Sequence, residues 1–136
     1  MSRIVLLDGG MGQELLKRSR LSPSPLWSAQ VMMDEPELVR QGHAHHISPR
    51  ARGITPKNYS ATPERLGREG GGEMFAPLQR RAIEMAVAAR DHSGRDVALA
   101  GCLPPLMASY RPDLVSDREW AKSIYARIVE IQAPAV

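Results

Sequence analysis

Apolar residues follow two rhythms along this chain. Ile4-Val5-Leu6-Leu7 is an unbroken apolar run that stops at Asp8-Gly9-Gly10. A short run closed by a turn signal predicts a strand buried on both faces. Val97-Ala98-Leu99-Ala100 repeats that pattern and stops at Gly101-Cys102-Leu103-Pro104-Pro105. Elsewhere the apolar spacing is that of a helix. Met11, Leu15 and Leu16 predict a helix over 11–18, and the prolines and serines of 21–25 predict a loop. A short helical stretch follows from Trp27 to Met33. Asp34-Glu35-Pro36-Glu37 starts another helix, with Pro at an early position and acids in the first turn. Leu38, Val39 and Gln41 continue it. Its stripe is then expected to fail, because Gly42, His43, His45 and His46 stand where core residues belong.

Residues 47–57 should carry the next strand, yet Pro49, Pro56, Arg50, Arg52 and Lys57 make it a poor central one. The glycines of 67–73 form a loop. The clearest helix runs from Glu73 to Arg90, with Phe75, Leu78, Ala82, Ile83, Ala86 and Ala89 on one face. Ser116-Asp117-Arg118-Glu119 has the capping-box pattern of a last helix. Its stripe is Trp120, Ile124, Ile128 and Ile131. Strands alternating with longer helices imply βαβ units on a parallel sheet, an α/β fold.

Composition narrows the class. The chain has 136 residues, enough for one domain with a core, and is 43% apolar and 24% charged, as soluble globular proteins are. No apolar run approaches the roughly 20 residues of a membrane span, and the short run after Met1-Ser2-Arg3 meets Asp8 at once and reads as a buried strand rather than a signal peptide. One cysteine excludes an internal disulfide and points to a reducing, cytoplasmic setting. Although 18 Lys and Arg face 15 Asp and Glu, the signs are interspersed and aromatics make up only 4%, so no nucleic-acid partner is expected.

Asp8-Gly9-Gly10-Met11-Gly12 closes the first strand, where parallel α/β folds bind ligands. Its glycines admit close backbone approach, and its carboxylate could hold an ammonium group. The plainer alternative is a tight turn capped by Asp8. A phosphate loop fits poorly, because Leu15 stands where the dinucleotide fingerprint needs a third glycine. His43-Ala44-His45-His46 lacks the remaining ligands of a zinc site and reads as solvent-exposed. Cys102 could face a pocket, but without a His/Asp partner set it reads as a small buried residue.

Four segments together resemble the homocysteine S-methyltransferase family, whose members use betaine, S-methylmethionine or S-adenosylmethionine as methyl donor. They are Leu7-Asp8-Gly9-Gly10-Met11-Gly12-Gln13-Glu14-Leu15, Pro25-Leu26-Trp27-Ser28-Ala29-Gln30, Asp34-Glu35-Pro36-Glu37-Leu38-Val39-Arg40-Gln41 and Asn58-Tyr59-Ser60-Ala61-Thr62-Pro63-Glu64-Arg65-Leu66. The resemblance implies a zinc-dependent (β/α)₈ barrel that transfers a methyl group from a sulfonium or ammonium donor to homocysteine, giving methionine. Asp8, Gly9 and Gly10 would help hold homocysteine, with Asn58 and Tyr59 beside the pocket.

The family's three zinc thiolates come from later strands, and none is present. A full barrel takes about 250 residues. The resemblance therefore implies one incomplete domain over 1–136, about three βα units of a TIM-type barrel. Residues 42–57 form an atypical segment within it. No catalytic residue, no metal ligand and no tightly held zinc are expected in this chain. It is expected to be inactive alone and to self-associate through exposed sheet edges. The alternative is a non-catalytic binding or interaction module on the same fold.

Overall fold

Three stretches of extended backbone lie side by side and parallel in this computed structural model, which describes residues 4–22, 24–26, 28–115 and 117–136. The middle stretch is β1 (Gly53–Ile54), which pairs with β2 (Ala98–Leu99) in the register Gly53 to Ala98 and Ile54 to Leu99. On its other side Leu7 forms a parallel bridge to Gly53. The Arg52 N–H donates to the Leu6 carbonyl at 2.8 Å, and the Asp8 N–H donates to the Gly53 carbonyl at 2.9 Å. The spatial order of the rows is their chain order, as expected of successive βα units.

Between the first two rows run α1 (Met11–Arg18), α2 (Ser28–Asp34) and α3 (Pro36–Ile47). Between β1 and β2 come α4 (Pro63–Arg68) and α5 (Phe75–Ser93); α6 (Arg118–Gln132) follows β2. Leu15, Met32, Val39, Leu66, Leu78 and Ile128, all buried, form the larger core, where the helices pack on one another. A second cluster of Ile47, Ile54, Ala86, Ala89, Val97 and Leu99 joins α3 and α5 to the strands. Burying a side chain such as Ile54 stabilises by about 2 kcal/mol. Among the described residues no helix is long and apolar enough to cross a membrane.

Several expectations change. Residues 4–7 are not buried on both faces: Ile4 is 91% exposed and Leu7 64%. Among the described residues they pair with a neighbouring strand on one side only. The stripe of α3 does not fail at Gly42. The helix continues to Ile47, which is buried, and Gly42 lets it close on α1: a Cβ there would stand 3.1 Å from the Met11 sulfur.

The poor strand expected over 47–57 does form, and it is the central row. Pro49 and Pro56 fall outside the two paired residues, so neither removes a ladder donor. A helix not expected from periodicity, α4, begins on Thr62, whose hydroxyl accepts the Arg65 N–H, with Pro63 in the first turn. The long helix starts at Phe75 after a 3₁₀ turn (Gly72–Met74), and left-handed Gly94 (φ +62°) ends it. Trp27 and Ser116, expected at helix starts, lie outside the described residues. The cap of α6 is Asp117, which accepts the Glu119 and Trp120 N–H groups.

Within the atypical segment, exposed Arg50 has φ +106°, where an L side chain crowds its own backbone. Arg50→Gly is expected to raise the unfolding free energy by about 1 kcal/mol, read as a higher urea midpoint at unchanged slope. A lower midpoint would show that the turn is unstrained.

Candidate functional site

The loops leaving the three rows converge at the C-terminal end of the sheet. They enclose a cleft of about 710 Å³ lined by Asp8–Gln13, Thr55–Lys57, Tyr59, Cys102 and Tyr110, with Ser60, Arg65 and Ser109 at its wall. Each row adds groups because its strand ends there.

Asp8 is fixed from the next row. Its Oδ2 accepts the Thr55 backbone N–H at 2.8 Å and the Thr55 hydroxyl at 3.1 Å. A carboxylate has about four lone-pair sites, so Asp8 keeps acceptor capacity toward the cleft. Gly10 leaves open space beside it: chain neighbours aside, no atom of the described residues stands within 4 Å of a Cβ built there, whereas a Cβ on Gly9 would meet His46. Tyr59 is 39% exposed; its hydroxyl lies 2.8 Å from Ser109 Oγ, and the Arg65 guanidinium sits 5.4 Å over its ring.

Asn58 does not line the cleft. It is buried beneath it, where Nδ2 donates to Gln79 Oε1 at 2.7 Å and to the Cys102 carbonyl at 3.3 Å. Gln132 completes this network: its Nε2 donates to Gln79 Oε1 at 3.2 Å and to the Cys102 carbonyl at 3.0 Å. Its Oε1 accepts the Cys102 N–H at 2.8 Å. Buried amides thus tie the loop after β1, the loop after β2, α5 and α6 into one support. Gly101 is needed there, because a Cβ would fall 2.8 Å from Gln132 Oε1.

Cys102 is half-buried rather than fully buried, and it lines the cleft. Burial pushes its thiol above the ordinary range; Lys57 pulls it back, and Asp8 pushes it further up. Burial lowers the Lys57 amine, and Cys102 opposes that.

His43 corrects the expectation of solvent-exposed histidines. It is fully buried, neither ring nitrogen has a partner among the described residues, and burial lowers its pKa to about 4, with His46 and Lys57 adding to the shift. His45 is exposed, and His46 packs against Gly9, with its Cε1 3.4 Å from a Cβ built there.

Thr55, Lys57, Arg65 and Ser109 carry no sequence signal that marks them for a site. They join it because their loops end at the same edge of the sheet.

The sequence profile described as Homocysteine S-methyltransferase matches residues 5–135. The chain belongs to the homocysteine S-methyltransferase family. The homocysteine S-methyltransferase YbgG of Bacillus subtilis is 34% identical over 84 residues, 62% of this chain and 26% of the relative. The Escherichia coli homocysteine S-methyltransferase is 35% identical over 89 residues, 65% of this chain and 29% of the relative. The selenocysteine methyltransferase of Astragalus bisulcatus is 34% identical over 90 residues, 65% of this chain and 27% of the relative.

The crystal structure of the metallated homocysteine methyltransferase MmuM from Escherichia coli superposes with a TM-score of 0.82 at 28% identity. The match covers 96% of this chain and 50% of that one. The chain thus spans about half the length of that solved relative, and its fold is that part of the homocysteine S-methyltransferase architecture.

The family resemblance implies zinc on three thiolates, and the residues here do not fit that group. The chain has one cysteine, and no three His, Cys, Asp or Glu cluster as metal ligands among the described residues.

Proposed function

We propose that the cleft holds the amino-acid end of homocysteine, with Asp8 receiving the ammonium group and Gly9-Gly10 letting the ligand approach the backbone. The observation that carries this reading is the Asp8 carboxylate, oriented by Thr55 and facing the cleft beside side-chain-free wall. Tyr59 and Arg65 close the far side. Asn58 contributes from beneath, by holding the loop that carries Tyr59.

Methyl transfer to homocysteine needs the substrate sulfur as a thiolate. Nothing among the residues of this chain supplies the metal cluster that would lower that thiol's pKa. This portion of the family fold is therefore a binding half: it retains the substrate and does not activate it. A non-catalytic binding module is favoured over an enzyme for this chain by the same observation, its single cysteine.

Calorimetric titration with L-homocysteine tests the reading. Wild type is expected to bind, and Asp8→Asn to bind about tenfold or more weakly, since a charge-assisted contact contributes about 1.5–3 kcal/mol. Neither protein is expected to form methionine from homocysteine and S-methylmethionine. Equal affinity of Asp8→Asn and wild type would remove Asp8 from the site, and methionine formed by wild type would overturn the binding-half assignment.

A further inference from the structure

The cleft contains a cation that forms no ion pair among the described residues. Lys57 lies in the wall contributed by the loop after β1. Its Nζ stands 3.7 Å from a Cβ built on Gly12, over the first turn of α1. Among the described residues it forms no ion pair, whereas every surface ion pair there joins charges close in sequence or on exposed edges. The other cleft cation, Arg65, donates through Nη2 to the Pro105 carbonyl and Ser109 Oγ and covers the Tyr59 ring, while its Nε is buried without a partner among the described residues.

The acidic groups that line the cleft form no ion pair with Lys57 among the described residues. Asp8 shares its acceptor capacity between Thr55 and the cleft, and burial raises the Cys102 thiol, which disfavours its charged form. Beside this amine, the N-cap of α1 is Gly10, which offers no side-chain acceptor to the first turn.

We propose that Lys57 is the carboxylate anchor of the cleft, so that an α-amino acid lies with its ammonium group at Asp8 and its carboxylate at Lys57. This inference rests on the amino-acid reading given above and adds the group that recognises the acid end. A compact, partly desolvated ammonium gains most from an incoming anion, and burial of the amine, which disfavours its charge while the cleft is empty, is offset when a carboxylate arrives. A phosphate dianion fits less well, because Asp8 shares the same wall. A zwitterion matches both charges at once. Cys102, which lines the same cleft, feels the charges of both Lys57 and Asp8.

Calorimetry on the full chain tests this with three probes: L-homocysteine, γ-mercaptobutyrate, which lacks the ammonium group, and aminopropanethiol, which lacks the carboxylate. Lys57→Gln is expected to weaken homocysteine and γ-mercaptobutyrate at least about tenfold while leaving aminopropanethiol unchanged. Lys57→Arg, which keeps the charge, should recover part of the loss. Asp8→Asn should show the converse preference, sparing γ-mercaptobutyrate.

If Lys57→Gln binds γ-mercaptobutyrate and homocysteine as wild type does, the carboxylate anchor is overturned while the homocysteine reading stands. If wild type binds γ-mercaptobutyrate in a Lys57-dependent way but not homocysteine, the anchor stands and the homocysteine reading falls. Wild type binding none of the three overturns both.

Discussion

Replacing His43 by leucine is expected to make the protein more stable than wild type, by a margin that grows from about 1 kcal/mol near pH 7.5 to about 4 kcal/mol near pH 4. His43 is buried and has a folded-state pKa of about 4 against 6.5 for the free side chain. Between those values the unfolded chain binds a proton that the folded chain refuses. Stability is therefore full above pH 6.5 and is lost as the pH falls toward 4. Leucine has no proton to bind, so this component of the pH dependence should vanish in His43→Leu.

At pH 7.5 the variant is still expected to gain about 1 kcal/mol. Both ring nitrogens lack partners among the described residues, and replacing an unsatisfied polar group by an apolar one of similar size removes a desolvation cost. Urea midpoints of both proteins at pH 7.5 and pH 4.5 provide the check. Parallel losses in the two would mean that His43 does not carry the effect.

The second large effect concerns the support beneath the cleft. Gln79→Leu removes the acceptor shared by Asn58 and Gln132 and the donor that meets the Ala61 carbonyl at 2.8 Å. All three amide side chains are buried, so the loss leaves polar groups that water reaches only by opening the structure. A destabilisation of about 3 kcal/mol is expected, with coupling of about 1 kcal/mol between positions 79 and 58 in a double-mutant cycle. Homocysteine affinity should fall as well, since Lys57 and Tyr59 flank the residue that loses its partner. A change under about 0.5 kcal/mol, within the range of ordinary surface substitutions, would rule out a structural role for the network.

The sequence made some of this legible and hid the rest for identifiable reasons. The run Val97–Ala100 and the stripe from Phe75 to Ala89 announced β2 and α5, because local periodicity and burial agree there. Ile4–Leu7 has the same pattern as a buried strand but lies exposed, since a hydrophobic run records what a strand can bury and not what covers it. Segment 47–57 misled in the other direction: its prolines and arginines are real, but only Gly53 and Ile54 need to pair.

The Asp8 turn was visible because glycines and an acid at a strand end form a local signal. Lys57 was not, for a single lysine in a loop has no period or motif. The amide network was hidden too: Asn58 and Gln79 are 21 residues apart, and Gln79 and Gln132 are 53 apart. Buried polar pairs at such separations follow from topology alone.

The pairing of the three rows has a consequence for the order of folding. Its hydrogen bonds join Leu6 to Arg52, Gly53 to Asp8 and Arg52 to Ala98, so every rung closes a loop of more than forty residues. The helices need only local contacts, and loop closure opposes the rungs until the helices have shortened the path. The sheet is thus expected to form late, and with it the cleft, which exists only where the rows end together. An amino acid captured there should slow unfolding and leave the rate of folding almost untouched.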